Sequence, residues 1–125
     1  MKLDPDCIRD ILLTVEEFSE FGSIIQYNTS ENFPLLVKYS ENKFLYHINQ
    51  CKHNDYFLYC NISAQGDSVL IGNLSPKAHE FLENIRDDNN YKKVKTTLLK
   101  AGSFALTLIP QVAAKVIQSN IDKLL

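Results

Sequence analysis

The side chains best equipped for chemistry in this chain are three cysteines, three histidines and the lysines that crowd its C-terminal third. His47 and Cys51 stand four residues apart, with His53 two further on. A helix would put the imidazole and thiol of the first two on one face, as a zinc site needs, and Cys60 could add a ligand. That set lacks the paired Cys-x-x-Cys or His-Glu-x-x-His spacing that makes a metal reading specific, and Cys51 fits an apolar stripe equally well. Nucleophilic catalysis needs a base held beside a thiol or hydroxyl, and no spacing marks one. Only four glycines occur, and none forms a phosphate-cradling loop. Glu80 and Glu83 belong to an ordinary solvated helix face. The chain therefore reads as a non-enzymatic protein without metal or cofactor.

The remaining chemistry is electrostatic. Across 125 residues the net charge is −2, which argues against affinity for nucleic acid driven by overall charge. The sign is unevenly distributed. From Met1 to Glu31 two basic residues face seven acidic ones, and from Tyr91 to Leu125 six lysines face only Asp122. Lys92, Lys93, Lys95 and Lys100, extended by Lys77 and Arg86, would form a basic surface able to neutralise phosphates with a steep salt dependence. Such a face can equally balance the acidic N-terminal segment within one fold. Arg86 with Asp87 and Asp88 suggests a structural pair at a helix end, and His79 a packed or capping histidine.

These residues need elements to position them. Asp4-Pro5-Asp6 opens a first helix, with Asp4 as cap and Pro5 at the first helical position. Ile8, Ile11, Leu12, Val15 and Phe18 recur at helical spacing along one face, and Gly22 suits the residue just beyond the end. Ile24 to Tyr27 reads as a short extended piece and Asn28 to Pro34 as loop. Phe33 to Val37 is open between a strand and a helical turn. Ser40 caps a second helix running to about Lys52, its inner face Phe44, Leu45, Ile48 and Cys51, with Asn54 ending it in the left-handed conformation. Strand character on both sides of Ala64-Gln65-Gly66-Asp67 gives a hairpin. Ser75-Pro76 starts the next helix, Asp87 to Asn90 breaks it and offers a new cap, and a further helix reaches Ala101-Gly102. A last helical segment from about Ser103 to Leu125 is expected to kink or restart at Pro110.

The order of helix, short strand, helix and hairpin predicts an α+β fold with a winged-helix-like domain over residues 1–89 and a helical tail over 90–125. In such a domain the helix from Ser40 would face the DNA major groove. Lys43, Tyr46, His47, Asn49, Gln50 and Lys52 would be its outward residues, with Asn49 and Gln50 able to read adenine edges. It carries no arginine, Glu41 adds repulsion, and Asp67 at the hairpin tip would repel phosphate. In the tail, Phe104, Leu108, Val112 and Val116 head an apolar set with few polar positions around the helix, which needs burial on more than one side. Packing within one chain and a homodimer interface are both open.

Ile8-Arg9-Asp10-Ile11-Leu12 with Val15-Glu16, Tyr46-His47-Ile48, Leu74 with His79-Glu80-Phe81-Leu82, Ile85-Arg86-Asp87-Asp88, Val94-Lys95, Lys100-Ala101-Gly102 and Phe104 carry a resemblance. The chain resembles a family of small uncharacterised bacterial proteins, a domain-of-unknown-function family common in prophages of Gram-positive bacteria. The resemblance implies a winged-helix-like N-terminal part and a helical tail, and no established activity. The chain departs from the family pattern where Asn54-Asp55-Tyr56 replaces a Gly-Leu-Ile type of turn, and where Pro76 and Tyr91 stand in place of tryptophan.

Two functions follow as expectations. The first is a phage-associated winged-helix protein that binds DNA or a DNA-bound partner, as a homodimer. The second is the same fold docking on, or inhibiting, a host or phage protein. Three cysteines without framework spacing and an N-terminus broken by Asp4, Asp6 and Asp10 point to a reducing cytoplasm without a signal peptide. The most apolar run, Phe104 to Ile117, is too short to span a bilayer, which takes ~20 residues.

Overall fold

The computed structural model describes residues 1–27 and 32–124. Five helices and a three-stranded antiparallel sheet follow one another as α1 (Pro5–Phe18), β1 (Ile25–Gln26), α2 (Glu41–His53), β2 (Cys60–Ile62), β3 (Val69–Ile71), α3 (Pro76–Ile85), α4 (Asp88–Ala101) and α5 (Leu108–Leu124). This is the α+β architecture expected.

Local chemistry sets most of the boundaries. The Asp4 carboxylate accepts from the Asp6 N–H, the Ser40 hydroxyl from Lys43, the Ser75 hydroxyl from Ala78 and the Asp87 carboxylate from Asn90. Each satisfies a helix N–H that has no partner inside its own helix. Gly102, at φ 72°, closes α4 in the left-handed region that a Cβ would disfavour.

Two helix ends differ from the sequence expectation. Helix α1 stops at Phe18 because Ser19 turns extended, and Gly22 takes its positive φ in the following turn. At the end of α2 the left-handed residue is Asp55, at φ 59°, while Asn54 is the cap at φ −97°. Asn54 is instead held by its own side chain, whose Nδ2 donates to the Gln50 carbonyl. Residues 34–38 form turns and no strand. The expected loop from Asn28 lies, as far as residue 31, outside the described residues.

Of the two alternatives at Pro110, a kink and a restart, the chain takes the restart. Helix α5 begins only at Leu108, so Pro110 sits in its first turn, where a missing N–H breaks no intrahelical bond. The chain from Ser103 to Thr107 is not helical. There is no kink because there is no longer helix to bend.

In the sheet β3 is central, in the order β1-β3-β2. Ile71 pairs with both Ile25 and Cys60, and Val69 with Ile62. The hairpin expected around Gly66-Asp67 is therefore present, with strands shorter than the apolar runs that flank it. One continuous core extends from Cys7 to Ala113 and takes in all five helices. Ile8, Ile11 and Leu12 of α1, Ile48 of α2 and Leu82 and Ile85 of α3 are fully buried. Such side chains contribute about 1.5–3 kcal/mol each by leaving water. Helix α5 packs on α3 and α4, closing the core from the C-terminal side.

Candidate interaction surfaces

The outward face expected of α2 is only partly free. His47 is 0% exposed. Its Nε2 accepts the Asp4 N–H at 2.8 Å, and its Nδ1 lies 2.7 Å from the Lys43 carbonyl oxygen. These partners require the neutral tautomer with the proton on Nδ1, since a backbone N–H can only donate to Nε2. Burial lowers the pKa of the ring, outweighing the pull of the Lys43 carbonyl and of Asp4. The expectation of an outward histidine thus fails. Leu45, placed inside by sequence, is only half-buried, and His47 occupies the core position. Sequence spacing put His47 outside because its partner, Asp4, is 43 residues away.

Lys43 is committed as well, with its Nζ 2.6 Å from Asp4 Oδ2. Tyr46 is half-buried and edge-on to His47, with ring centroids 5.2 Å apart. Asn49 and Lys52 are exposed and Gln50 is half-buried, so these three remain for a partner. At the other end of α2, Glu41 and Asp67 line a cleft of about 300 Å³ between the helix start and the hairpin tip, floored by Phe44 and Val69. Two carboxylates therefore give this cleft a negative lining that would repel phosphate.

A second cluster joins α1 to α3 and α4. The Tyr91 hydroxyl donates to Asp6 Oδ1 at 2.5 Å, and Lys95 Nζ lies 3.0 Å from the same oxygen. Burial raises the Asp6 pKa, but the bonds from Tyr91 and Lys95 outweigh it and the net shift is downward. Burial and the hydrogen bond to Asp6 push the Tyr91 phenol upward. The Arg9 guanidinium lies over the Tyr91 ring, 4.7 Å from its centroid, and pairs with Asp88 at 2.8 Å. It also donates to the carbonyls of Ile85 and Arg86 at 2.9 and 2.6 Å, filling acceptors at the end of α3.

Arg86 grips Glu16 of α1 through two bonds of 2.7 and 2.6 Å and also reaches Glu83. The Arg86 hydrogen bonds hold the Glu16 carboxyl below its ordinary range. The expected pairing of Arg86 with its neighbours Asp87 and Asp88 is replaced, since Asp87 caps α4 and Asp88 meets Arg9. His79, expected to pack or cap, is half-exposed and stands 3.9 Å from Glu16.

The proposed basic surface is thereby divided. Lys95 and Arg86 face α1 and are paired. Lys92 and Lys100 are exposed, and Lys93 faces α5, its Nζ 3.5 Å from Asn120 Oδ1. The tail residues Phe104, Leu108, Val112 and Val116 are half-buried against the core of their own chain. Cys7 and Cys51 are buried, and burial raises the Cys7 thiol to about 12, far from nucleophilic use. Among the described residues no three of His, Cys, Asp and Glu gather as metal ligands do.

Sequence reasoning passed over one surface entirely. Phe21 is fully exposed at 103% and Leu58 is 67% exposed, with Ile24 and Tyr59 also open. Hydrogen bonds draw the two segments to one place. Asn73 Nδ2 donates to the Glu20 carbonyl at 3.2 Å, Leu58 N–H to the Asn73 carbonyl at 2.8 Å, and Gly72 N–H to the Tyr59 carbonyl at 2.9 Å. The available signal was Phe21 itself, an aromatic stranded between Glu20 and Gly22 beyond the apolar stripe of α1.

A family model described as Hypothetical protein (DUF2513) matches residues 2–104. The chain belongs to the DUF2513 family. The DUF2513 match holds α1 to α4, the ion pairs that join them and the Phe21 surface, and it stops short of α5. Neither the curated proteins nor the solved structures yield a match. Among the described residues no helix is long and apolar enough to cross a membrane.

Proposed function

We propose that this chain is a non-enzymatic protein-interaction module on a winged-helix-like core. The order α1-β1-α2-β2-β3, with α2 immediately before the hairpin and β3 central in the sheet, supports the winged-helix reading. On that reading α2 is the presented helix and the turn at Ala64 to Asp67 is the wing. The resemblance to prophage proteins would put its partner among host or phage proteins.

The exposed apolar surface of Phe21, Ile24, Leu58 and Tyr59 carries the proposal. An isolated exposed leucine is ordinary, but a wholly exposed phenylalanine and an exposed leucine on segments tied together through Asn73 have the composition of a protein contact. The electrostatics of α2 agree, with His47 buried, Lys43 paired and the Glu41–Asp67 cleft repelling phosphate.

A second reading, duplex DNA binding through α2, is favoured by Asn49, Gln50 and Lys52, which stay accessible along one side of that helix. A photo-crosslinking residue placed at position 21 and, separately, at position 49 distinguishes the two in cells. The interaction reading expects a discrete protein adduct from position 21. An adduct to DNA from position 49, with none to protein from position 21, overturns it. A mobility shift with random duplex across a salt series tests the DNA reading independently.

A further inference from the structure

Helices α4 and α5 run antiparallel, pinned at one end by Asn120 Nδ2 donating to Asn90 Oδ1 at 2.8 Å. Between them lies an open cleft of about 440 Å³. Val112 and Val116 line it from α5, Thr97 and Lys93 from α4, and Lys115 and Lys123 stand along its outer side. Among the described residues no Asp or Glu lines it. None of its three lysines forms an ion pair among the described residues, whereas Lys38, Lys43, Lys95, Arg9 and Arg86 all do.

We propose that this cleft binds an acidic amphipathic helix of a partner protein. The occupant follows from shape and charge together. Val112 and Val116 are four residues apart on one helix, so they form a ridge against which a second helix can seat side chains spaced three and four apart. From Val112 to Lys123 the cleft extends about 16 Å, roughly three helical turns. Three ammonium groups that make no ion pair among the described residues, beside two valines, complement carboxylates that flank an apolar stripe.

Other occupants fit less well. A second copy using the same cleft in a two-fold contact would set lysines against lysines. A phosphate backbone would neutralise the lysines and leave the valines uncovered. A flat membrane surface does not enter a groove. The inference rests on the interaction-module reading and names a partner chemistry for a surface other than that of Phe21. Its test uses a defined peptide, so its failure is separable from a failure of the crosslink at position 21.

The chain contains no tryptophan, so a single tryptophan in a peptide reports binding without background. The probe is a synthetic helix with a leucine stripe flanked by glutamates and one tryptophan in the stripe, titrated with the intact protein. Saturable binding is expected that weakens as salt rises and is lost when glutamine replaces each glutamate. The Lys93/Lys115/Lys123→Gln variant should bind at least about tenfold more weakly with unchanged thermal unfolding. Thr97→Asp, a change at an exposed site, should weaken it in the same direction. Equal binding of the glutamine peptide, or undiminished binding by both variants, overturns the proposal. So does tighter binding of random duplex DNA or of phosphatidylserine vesicles at the same lysines, or self-association that blocks the cleft.

Discussion

Towards α1, the side chains of α4 meet opposite charge. Tyr91 and Lys95 close on Asp6, Arg9 covers the Tyr91 ring and binds Asp88, and Arg86 holds Glu16 just before the helix begins. Towards α5, Lys93 and Thr97 of the same helix meet valines, and a single asparagine pair fixes the far end. The contrast shows that basic residues close together in sequence do different work. Those turned towards the acidic first helix join α1 to α3 and α4, and those turned towards α5 make no ion pair among the described residues. Counting lysines along the chain merges the two sets, because a helix separates Lys93 from Lys95 by more than half a turn of direction.

The joint can be broken to measure what it contributes. The largest effect is expected from Tyr91→Ala, which removes a buried ring and its bond to Asp6. It should cost about 3 kcal/mol in chemical denaturation. Tyr91→Phe keeps the ring and removes only the hydroxyl. It should cost about 1–2 kcal/mol, since the lost bond went to a carboxylate that is partly solvated. Equal stability of Tyr91→Phe and the parent would show that the α1–α4 joint depends on packing alone.

A smaller effect concerns acid. His47 has a pKa below its ordinary 6.5 because it is buried neutral. Protons therefore bind the unfolded chain more readily, and its contribution is complete above pH 6.5 and lost as pH falls through the lowered value. Asp6 and Glu16, also lowered, add the same sign further down, below the ordinary carboxylate values of 3.8 and 4.5. Denaturation midpoints from pH 8 to about 2 should decline in those two stages, and His47→Gln should flatten the first. A midpoint that rises on acidification would contradict the neutral buried ring. The smallest effect belongs to the cleft. Lys93/Lys115/Lys123→Gln should change stability by no more than about 0.5 kcal/mol, because exposed unpaired charges support little of the fold.

Much of the architecture was legible locally. Asp4-Pro5, Ser40, Ser75-Pro76, Asp87 and Gly102 mark helix ends through bonds to residues two to four positions away, so short-range reading finds them. Partners beyond that range were out of reach. His47 was read as outward because only the fold brings the Asp4 N–H to it, and Arg86 was matched to adjacent aspartates because Glu16 is 70 residues distant. Pro110 marks the restart of the helix to within two residues, while the apolar run from Phe104 hides that Ser103 to Thr107 is not helical. The cleft had a trace in sequence, with Lys115, Ser119 and Lys123 at helical spacing on the same face as Val112 and Val116. Its other wall comes from α4, and no periodicity within α5 predicts which face of α4 it meets.

The division of labour along α4 is tested most directly by nuclear magnetic resonance. The methyl groups of Val112 and Val116 and the ring of Tyr91 would be followed while the glutamate-flanked peptide is added. The account predicts that the two valines shift progressively to saturation while Tyr91 stays still. Shifts centred on Tyr91 with the valines unmoved, or no saturable shift at either place, would contradict it.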